Sequence, residues 1–157
     1  MSAAGVSLFS LNQRDADLGA RERFTEALST VRGPDVLVLL TCHRAEVLAA
    51  DAADPDALAE RLGTVLPTSG HLRTGRDAAL QLLRIACGLD SAIRGEGQIL
   101  GQLRRTFEAA RPIGLRPELA LATAAHWSSA ASFVAAPHSD RSGAPLARSP
   151  STRRSRS

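Results

Sequence analysis

The 157-residue chain has two cysteines, no lysine and no long apolar run. No stretch approaches the ~20 apolar residues that cross a bilayer, and residues 1–10 lack the basic start and long apolar centre of a signal peptide. We therefore expect a cytoplasmic protein with no membrane partner. In a reducing compartment Cys42 and Cys87 are expected to remain free thiols. No second Cys or His stands at metal-ligand spacing from Cys42, so no metal site is expected.

Positive charge is concentrated at the end of the chain. There a Ser/Pro/Arg-rich segment sets five arginines against one aspartate, Asp140. The preceding residues are roughly balanced, so the net charge does not indicate a nucleic-acid partner, although the arginines can add salt-sensitive phosphate affinity. We interpret residues 128–157 as a disordered Ser/Arg/Pro-rich tail and residues 1–127 as one folded domain.

The folded part alternates between strand and helix patterns. Strands, helices and Gly/Pro turns follow in the order β-α-β-β-α-β, over residues 5–11, 18–31, 35–42, 45–52, 54–65 and 70–75. We expect the two central strands to be joined by a short turn at His43 and Arg44. This order predicts an α+β fold, a ferredoxin-like βαββαβ sandwich in which helices cover one face of an antiparallel sheet. Helical patterns over 76–89, 97–114 and 117–127 follow it.

A first candidate site lies at the end of the apolar strand in VLVLLTCHRAEVLAA. A thiolate is a strong nucleophile, and a nearby cation lowers the pKa of a thiol, so Cys42 beside His43 and Arg44 is a candidate nucleophile. Neighbouring side chains on a strand point to opposite faces, so only a turn after Thr41 would bring these groups together. The alternative is that Cys42 is a small core residue at a strand end.

A second candidate site is GLDSAIRGEGQILGQLRR, residues 88–105. Its glycines permit close approach of a ligand to the backbone, and its polar side chains offer donors and acceptors. Gln98 and Gln102 lie four apart on a predicted helix and face the same side. The alternative is a helix-loop-helix corner with solvated Gln side chains.

The two segments together resemble the catalytic domain of glutamyl-tRNA reductase, the enzyme that opens five-carbon tetrapyrrole (porphyrin and heme) synthesis. TCHRAEV is followed by ACGLDSAIRGEGQILGQ, which contains GLDS, GE-Q and ILGQ in order. GVSL and ARERF fit the family's opening β-α unit more weakly. The resemblance covers about residues 5–126.

This resemblance implies a role for each matching residue. Cys42 would attack the ester carbonyl that joins glutamate to its tRNA, form an enzyme thioester and release the tRNA. Arg44 would hold a carboxylate of the glutamyl group, a task suited to the fork of guanidinium donors. Thr41 and His43 would complete that site, and the second segment would supply Ser91, Glu96, Gly97, Gln98 and Gln102. In the complete enzyme, hydride from NADPH then reduces the thioester to glutamate-1-semialdehyde.

Three positions depart from the family pattern. His43 stands where the family has Asn, and Gly97 stands where it has Pro. Gln81 occupies the position of a functionally important His, and an amide cannot act as a general acid or base near neutral pH. Gln81 would keep the hydrogen bonding of that position without its proton transfer. Attack by Cys42 can survive, because thiols need less help than hydroxyls.

The family also continues into a Rossmann NADPH domain and a helical dimerisation domain. This chain has no Gly-rich dinucleotide fingerprint, so we expect no NADPH site in it. A thioester formed here would hydrolyse, which would make the chain a weak glutamyl-tRNA esterase. The chain has no lysine and much alanine, and both features favour a GC-rich gene. In such a gene, the codons near Ala125, read in a shifted frame, can encode a segment that resembles the family's next helix. We therefore hypothesise a frameshift there, which the nucleotide sequence would test.

Two functions stay open at this point. In the first, the chain is a truncated catalytic domain that reacts with glutamyl-tRNA through Cys42. In the second, it is a catalytically impaired remnant that binds glutamyl-tRNA or a partner reductase without chemistry. Candidate protein partners are a full-length reductase and glutamate-1-semialdehyde aminomutase.

Overall fold

A computed structural model describes residues 5–90 and 98–123. The elements are β1 (Val6–Asn12), α1 (Leu18–Leu28), β2 (Val36–Leu40), β3 (Arg44–Ala50), α2 (Pro55–Leu62), β4 (His71–Thr74), α3 (Gly75–Ala86), α4 (Gln98–Ala110) and a 3-10 helix (Arg111–Ile113). Residues 117–123 are also helical. The predicted tail, its boundary at 127/128 and the frameshift position near Ala125 lie outside the described residues.

The four strands form one antiparallel sheet in the order β2-β3-β1-β4. This order, with α1 and α2 in the two crossovers, confirms the predicted α+β class and the ferredoxin-like βαββαβ arrangement. The predicted turn between the second and third strands was misplaced by one residue. Leu40 pairs with Ala45, so the turn consists of Cys42 and His43, and Arg44 is already the first residue of β3.

Helices cover both faces of this sheet, whereas the sequence pattern was interpreted as covering one. On one face, Phe9, Val47 and Ala49 pack with side chains from α1 and α2. On the opposite face, Leu8 and Leu48 pack with side chains from α3 and α4. Because successive side chains on a strand point to opposite faces, this double cover explains why every residue of β3 is buried.

The edge strand β4 pairs with β1, and a close contact with the Phe9 ring lies just before it. Gly70, which precedes β4, lies so near the ring of Phe9 that an added Cβ would fall 2.1 Å from Phe9 Cζ. Phe9 in turn meets Phe24 of α1 edge to face, with ring centroids 5.6 Å apart. This contact fixes β4 beside β1, and β4 carries Arg73 toward the α3 side of the sheet, opposite the face on which Leu72 packs.

Candidate functional site

The Cys42 thiol lies at the tip of the β2–β3 hairpin. Thr41 N donates to Arg44 O at 2.9 Å, which closes a turn of only Cys42 and His43. Thr41 Oγ1 accepts from the backbone N–H groups of His43 (3.3 Å) and Arg44 (3.2 Å), and so fixes the turn from inside. A two-residue turn leaves no room for burial of its side chains, and Cys42 is exposed. The alternative interpretation of Cys42 as a core residue is therefore wrong.

Two neighbouring segments hold this hairpin tip in place. Arg21 of α1 donates from Nη1 to Cys42 O at 3.2 Å, and Gln13 N donates to His43 O at 2.9 Å. A groove of about 470 Å³ runs between α1 and the turn, and Thr41 and Cys42 line it. The thiol therefore sits on a rigid support with open space beside it, which is the geometry that attack on a bound ester requires.

Arg44 points away from solvent and is paired with two carboxylates. Its Nη1 lies 3.3 Å from Glu46 Oε1 and 3.5 Å from Asp90 Oδ2, and only 7% of the residue is exposed. Its Nη2 also donates to the backbone carbonyl of Asp90. Arg44 and Glu46 are two apart on β3, so their side chains share the face of the sheet that α3 covers.

Glu46 is a functional candidate that the sequence analysis missed. It is only 3% exposed, and burial raises its pKa to about 7. The nearby Ser10 hydroxyl and the guanidinium groups of Arg44 and Arg73 lower this pKa, whereas Asp90 raises it. Among the described residues, Glu46 Oε2 is buried without a hydrogen-bond partner, and the Ser10 oxygen, although close, makes no bond of good geometry. The available signal was a carboxylate inside an otherwise apolar strand.

Gln81 and Arg44 meet at the same carboxylate, although they are far apart in sequence. Gln81 Nε2 of α3 donates to Asp90 Oδ2 at 3.0 Å, the oxygen that also faces Arg44 Nη1. Asp90 follows the end of α3, and Gly88 just before it has a φ of 69°, which lets the chain turn back there. The structure thus brings Gln81 next to the Arg44 site, in a hydrogen-bonding role.

An open cleft of about 530 Å³ adjoins this cluster on the α3 side of β1 and β4. Gln81 and Asp90 form its inner end, and Ser10 and Arg73 line its floor. In the part of the chain that the structure describes, Arg73 Nη1 is buried without an acceptor. The cleft therefore offers unpaired donors beside Arg44, in a volume suited to a small polar ligand.

The second predicted segment is described only in part. Gln98 is the first residue of α4 and is exposed, and Gln102 lies four residues further along the same helix, partly buried. Within residues 5–90 and 98–123, no hydrogen bond joins either side chain to the Arg44 cluster. Ser91, Glu96 and Gly97 lie outside the described residues.

Metal-binding clusters and membrane-spanning helices are two further features that define the kind of site. Over the same described ranges, no group of His, Cys, Asp and Glu side chains could hold a metal ion. None of the helices in those ranges is both long and apolar enough to span a bilayer.

Residues 9–132 match the family model for the glutamyl-tRNAGlu reductase N-terminal domain. Glutamyl-tRNA reductase 2 of Nocardioides sp. is 47% identical over 98 residues, which cover 56% of this chain and 22% of that protein. Glutamyl-tRNA reductase of Methanocella arvoryzae is 35% identical over 126 residues, which cover 71% of this chain and 28% of that protein.

A solved structure shares the fold. The glutamyl-tRNA reductase from Methanopyrus kandleri superposes with a TM-score of 0.64 and 20% sequence identity, covering 82% of this chain and 34% of that one. The chain thus spans about a fifth to a third of the length of the relatives that it matches.

Proposed function

Because the chain belongs to the glutamyl-tRNA reductase N-terminal domain family, we propose that it acts on glutamyl-tRNA through Cys42, as a cytoplasmic catalytic domain of tetrapyrrole synthesis. The observation that carries this proposal is the exposed Cys42 thiol on a braced two-residue turn, two residues before the buried Arg44. Residues 1–127 form this domain, and residues 128–157 are the tail.

The proposed reaction is a transfer of the glutamyl group from oxygen to sulfur. The Cys42 thiolate attacks the ester carbonyl carbon, the bond from that carbon to the ribose oxygen breaks, and the ribose oxygen takes a proton from water as the tRNA leaves. Arg44 holds the free carboxylate of the glutamyl group, with Thr41 and His43 shaping the turn around it. Ser91, Glu96, Gly97, Gln98 and Gln102 are proposed to contact the substrate from the second segment.

NADPH supplies the hydride that reduces such a thioester in the family's complete enzyme. The starts of α1, α2 and α3 do not fit this cofactor. A dinucleotide pyrophosphate binds at an uncharged, glycine-rich helix N-terminus, whereas the start of α1 is capped by Asp17, that of α2 by Asp54, and the first turn of α3 carries Asp77. These carboxylates would repel phosphate. We therefore assign this chain the acyl transfer alone, followed by hydrolysis of the thioester to glutamate.

One observation favours the second candidate, a binding remnant. Gln81 stands at the position of the family's functional His, and its amide already donates to Asp90. An amide leaves the tRNA hydroxyl without a proton donor at this point, which slows the transfer. A remnant would bind glutamyl-tRNA, a full-length reductase or glutamate-1-semialdehyde aminomutase and leave the ester intact.

The test is incubation of the purified chain with glutamyl-tRNA that carries labelled glutamate, followed by acid quench and mass analysis of the Cys42 peptide. We expect a glutamyl adduct on Cys42 and release of free glutamate, because the thiol is exposed and thioesters hydrolyse. Cys42→Ser should lose both, whereas Cys87→Ser is the matched control, since Cys87 is buried in the core. Binding of glutamyl-tRNA with neither an adduct nor deacylation would leave the remnant as the function.

A further inference from the structure

When Glu46 is ionised, Arg44 is already balanced by charge before any substrate arrives. Two cations, Arg44 and Arg73, and two carboxylates, Glu46 and Asp90, act on one another in this buried cluster. A glutamyl carboxylate on Arg44 would be a third negative charge against two positive ones. Uncompensated charge away from water is costly, so binding must change the charge of one of these groups.

The geometry distinguishes the two candidate carboxylates. Asp90 has a hydrogen-bond donor, Gln81 Nε2 at 3.0 Å, and its side chain is 24% exposed to solvent. Glu46 has a side chain only 4% exposed and makes one contact with Arg44, and its Oε2 has no partner among the described residues. That free oxygen is where a proton fits without breaking an existing hydrogen bond.

We propose that Glu46 is a positioning residue that releases Arg44 to the substrate by taking up a proton from solvent as the glutamyl carboxylate binds. This proposal rests on the function proposed above, and it adds that substrate binding is coupled to protonation. The glutamyl carboxylate replaces the carboxylate of Glu46 as the counter-ion of Arg44, and the net charge of the cluster stays at zero. Neutral Glu46 keeps its place on β3 and becomes a hydrogen-bond donor.

The groups that face Glu46 define the expected pH range. They are Arg44 on the same strand, Ser10 on β1, Arg73 on β4 and Asp90 after α3. Burial already raises the pKa of Glu46 to about 7, and an added carboxylate on Arg44 raises it further. Well below pH 7, Glu46 is already protonated before the substrate binds, so binding takes up no proton. Above it, each binding event must bring a proton, so affinity falls as pH rises.

The experiment is isothermal titration calorimetry with glutamyl-adenosine amide, in which an amide replaces the reactive ester. Titrations at pH 6, 7 and 8 in buffers of different ionisation enthalpy give the number of protons exchanged. We expect about half a proton taken up at pH 7 and close to one at pH 8, with the dissociation constant rising by up to about tenfold per pH unit above 7. Glu46→Gln, a neutral mimic, should bind without proton exchange and with a flat pH profile.

Two controls test whether proton uptake depends on the substrate carboxylate and on Glu46. Glutaminyl-adenosine amide has no side-chain carboxylate and should bind without proton uptake. His71→Gln removes the imidazole that lines the same cleft and lies 3.4 Å from Asp15, and this variant should keep the wild-type proton uptake. Proton uptake that persists in Glu46→Gln, or wild-type binding with none, would overturn the proposal. Failure of the analogue to bind at any pH would overturn it as well, since Arg44 would then take no substrate carboxylate.

These outcomes separate this proposal from the proposed function. If Cys42 is acylated by glutamyl-tRNA while the analogue binds without proton exchange, the function stands and the role of Glu46 is wrong. If the analogue binds with proton uptake that depends on Glu46 but Cys42 is never acylated, the coupling stands and the acyl transfer is wrong.

Discussion

At the scale of single residues, Glu46 is held in a place that disfavours its charge. Its pKa of about 7 in the folded protein compares with an ordinary value of 4.5. Between these two values the folded chain keeps the proton that the unfolded chain has lost. The free energy of unfolding therefore falls as pH rises through this window, and the loss is complete above pH 7.

The corresponding prediction concerns Glu46→Gln, which cannot ionise. Relative to this variant, the wild-type chain should lose about 3 kcal/mol of unfolding free energy between pH 4 and pH 8. Urea denaturation of both proteins at pH 4, 6 and 8 measures the difference, in which the other titrating groups cancel. Glu60→Gln on the exposed side of α2 is the control and should follow the wild-type curve. Parallel curves for wild type and Glu46→Gln would show that Glu46 is not destabilised by burial.

The sequence identified some of these residues and not others for a physical reason. The residue types around Cys42 make it a candidate nucleophile, and only the family resemblance implies that Arg44 holds a carboxylate. Glu46 was missed because its burial depends on the cover of both faces of β3; a carboxylate among apolar residues signals a buried position but not the groups that it meets there. The contact of Gln81 with Asp90 likewise depends on the turn after α3, which local periodicity does not determine.

At the scale of elements, the site depends on how the helices pack on the two faces of the sheet. The order β-α-β-β-α-β was predictable, because turns and alternation mark each element. The position of α3 and α4 was not, since an amphipathic helix reveals that it buries one side but not which face of a sheet it covers. That choice decides which side chains of β3 become buried polar groups.

A pair of glycine substitutions tests how β4 packs against β1. Gly70→Ala would drive a methyl group into the buried ring of Phe9, so we expect a loss of about 1–3 kcal/mol of unfolding free energy. Gly101→Ala in α4 is the matched substitution. Its Cβ meets only the end of the Arg105 side chain at 3.6 Å, so helix propensity should stabilise the chain by about 0.5–1 kcal/mol. Thermal and urea unfolding measure both, and equal effects of the two would contradict the role of Gly70.

At the scale of the whole molecule, the described part acts as a support on which distant segments converge. The hairpin turn brings Cys42, α3 brings Gln81, and the segment after α3 brings Asp90 to one end of the sheet. The groups that meet around Arg44 thus come from positions far apart in sequence, and they are held by a strand with two buried faces. The charge of this body is roughly balanced, and the five arginines of the tail stand apart from it in the sequence.

The tail prediction follows from this separation of charge. If those arginines contact tRNA phosphates, deletion of residues 128–157 should reduce the slope of log K against log salt by up to about 4, because each neutralised phosphate contributes about 0.7–0.9. The acylation of Cys42 at saturating glutamyl-tRNA should not change, since every proposed site residue precedes the tail. Filter binding of tRNA from 50 to 300 mM salt measures the slope. The matched control replaces the tail arginines (Arg141, Arg148, Arg153, Arg154 and Arg156) with glutamine at full length, which should lower the slope as much as the deletion does. An unchanged slope in both variants would mean that the arginines stay away from the phosphates and that tRNA binding belongs to the folded domain alone.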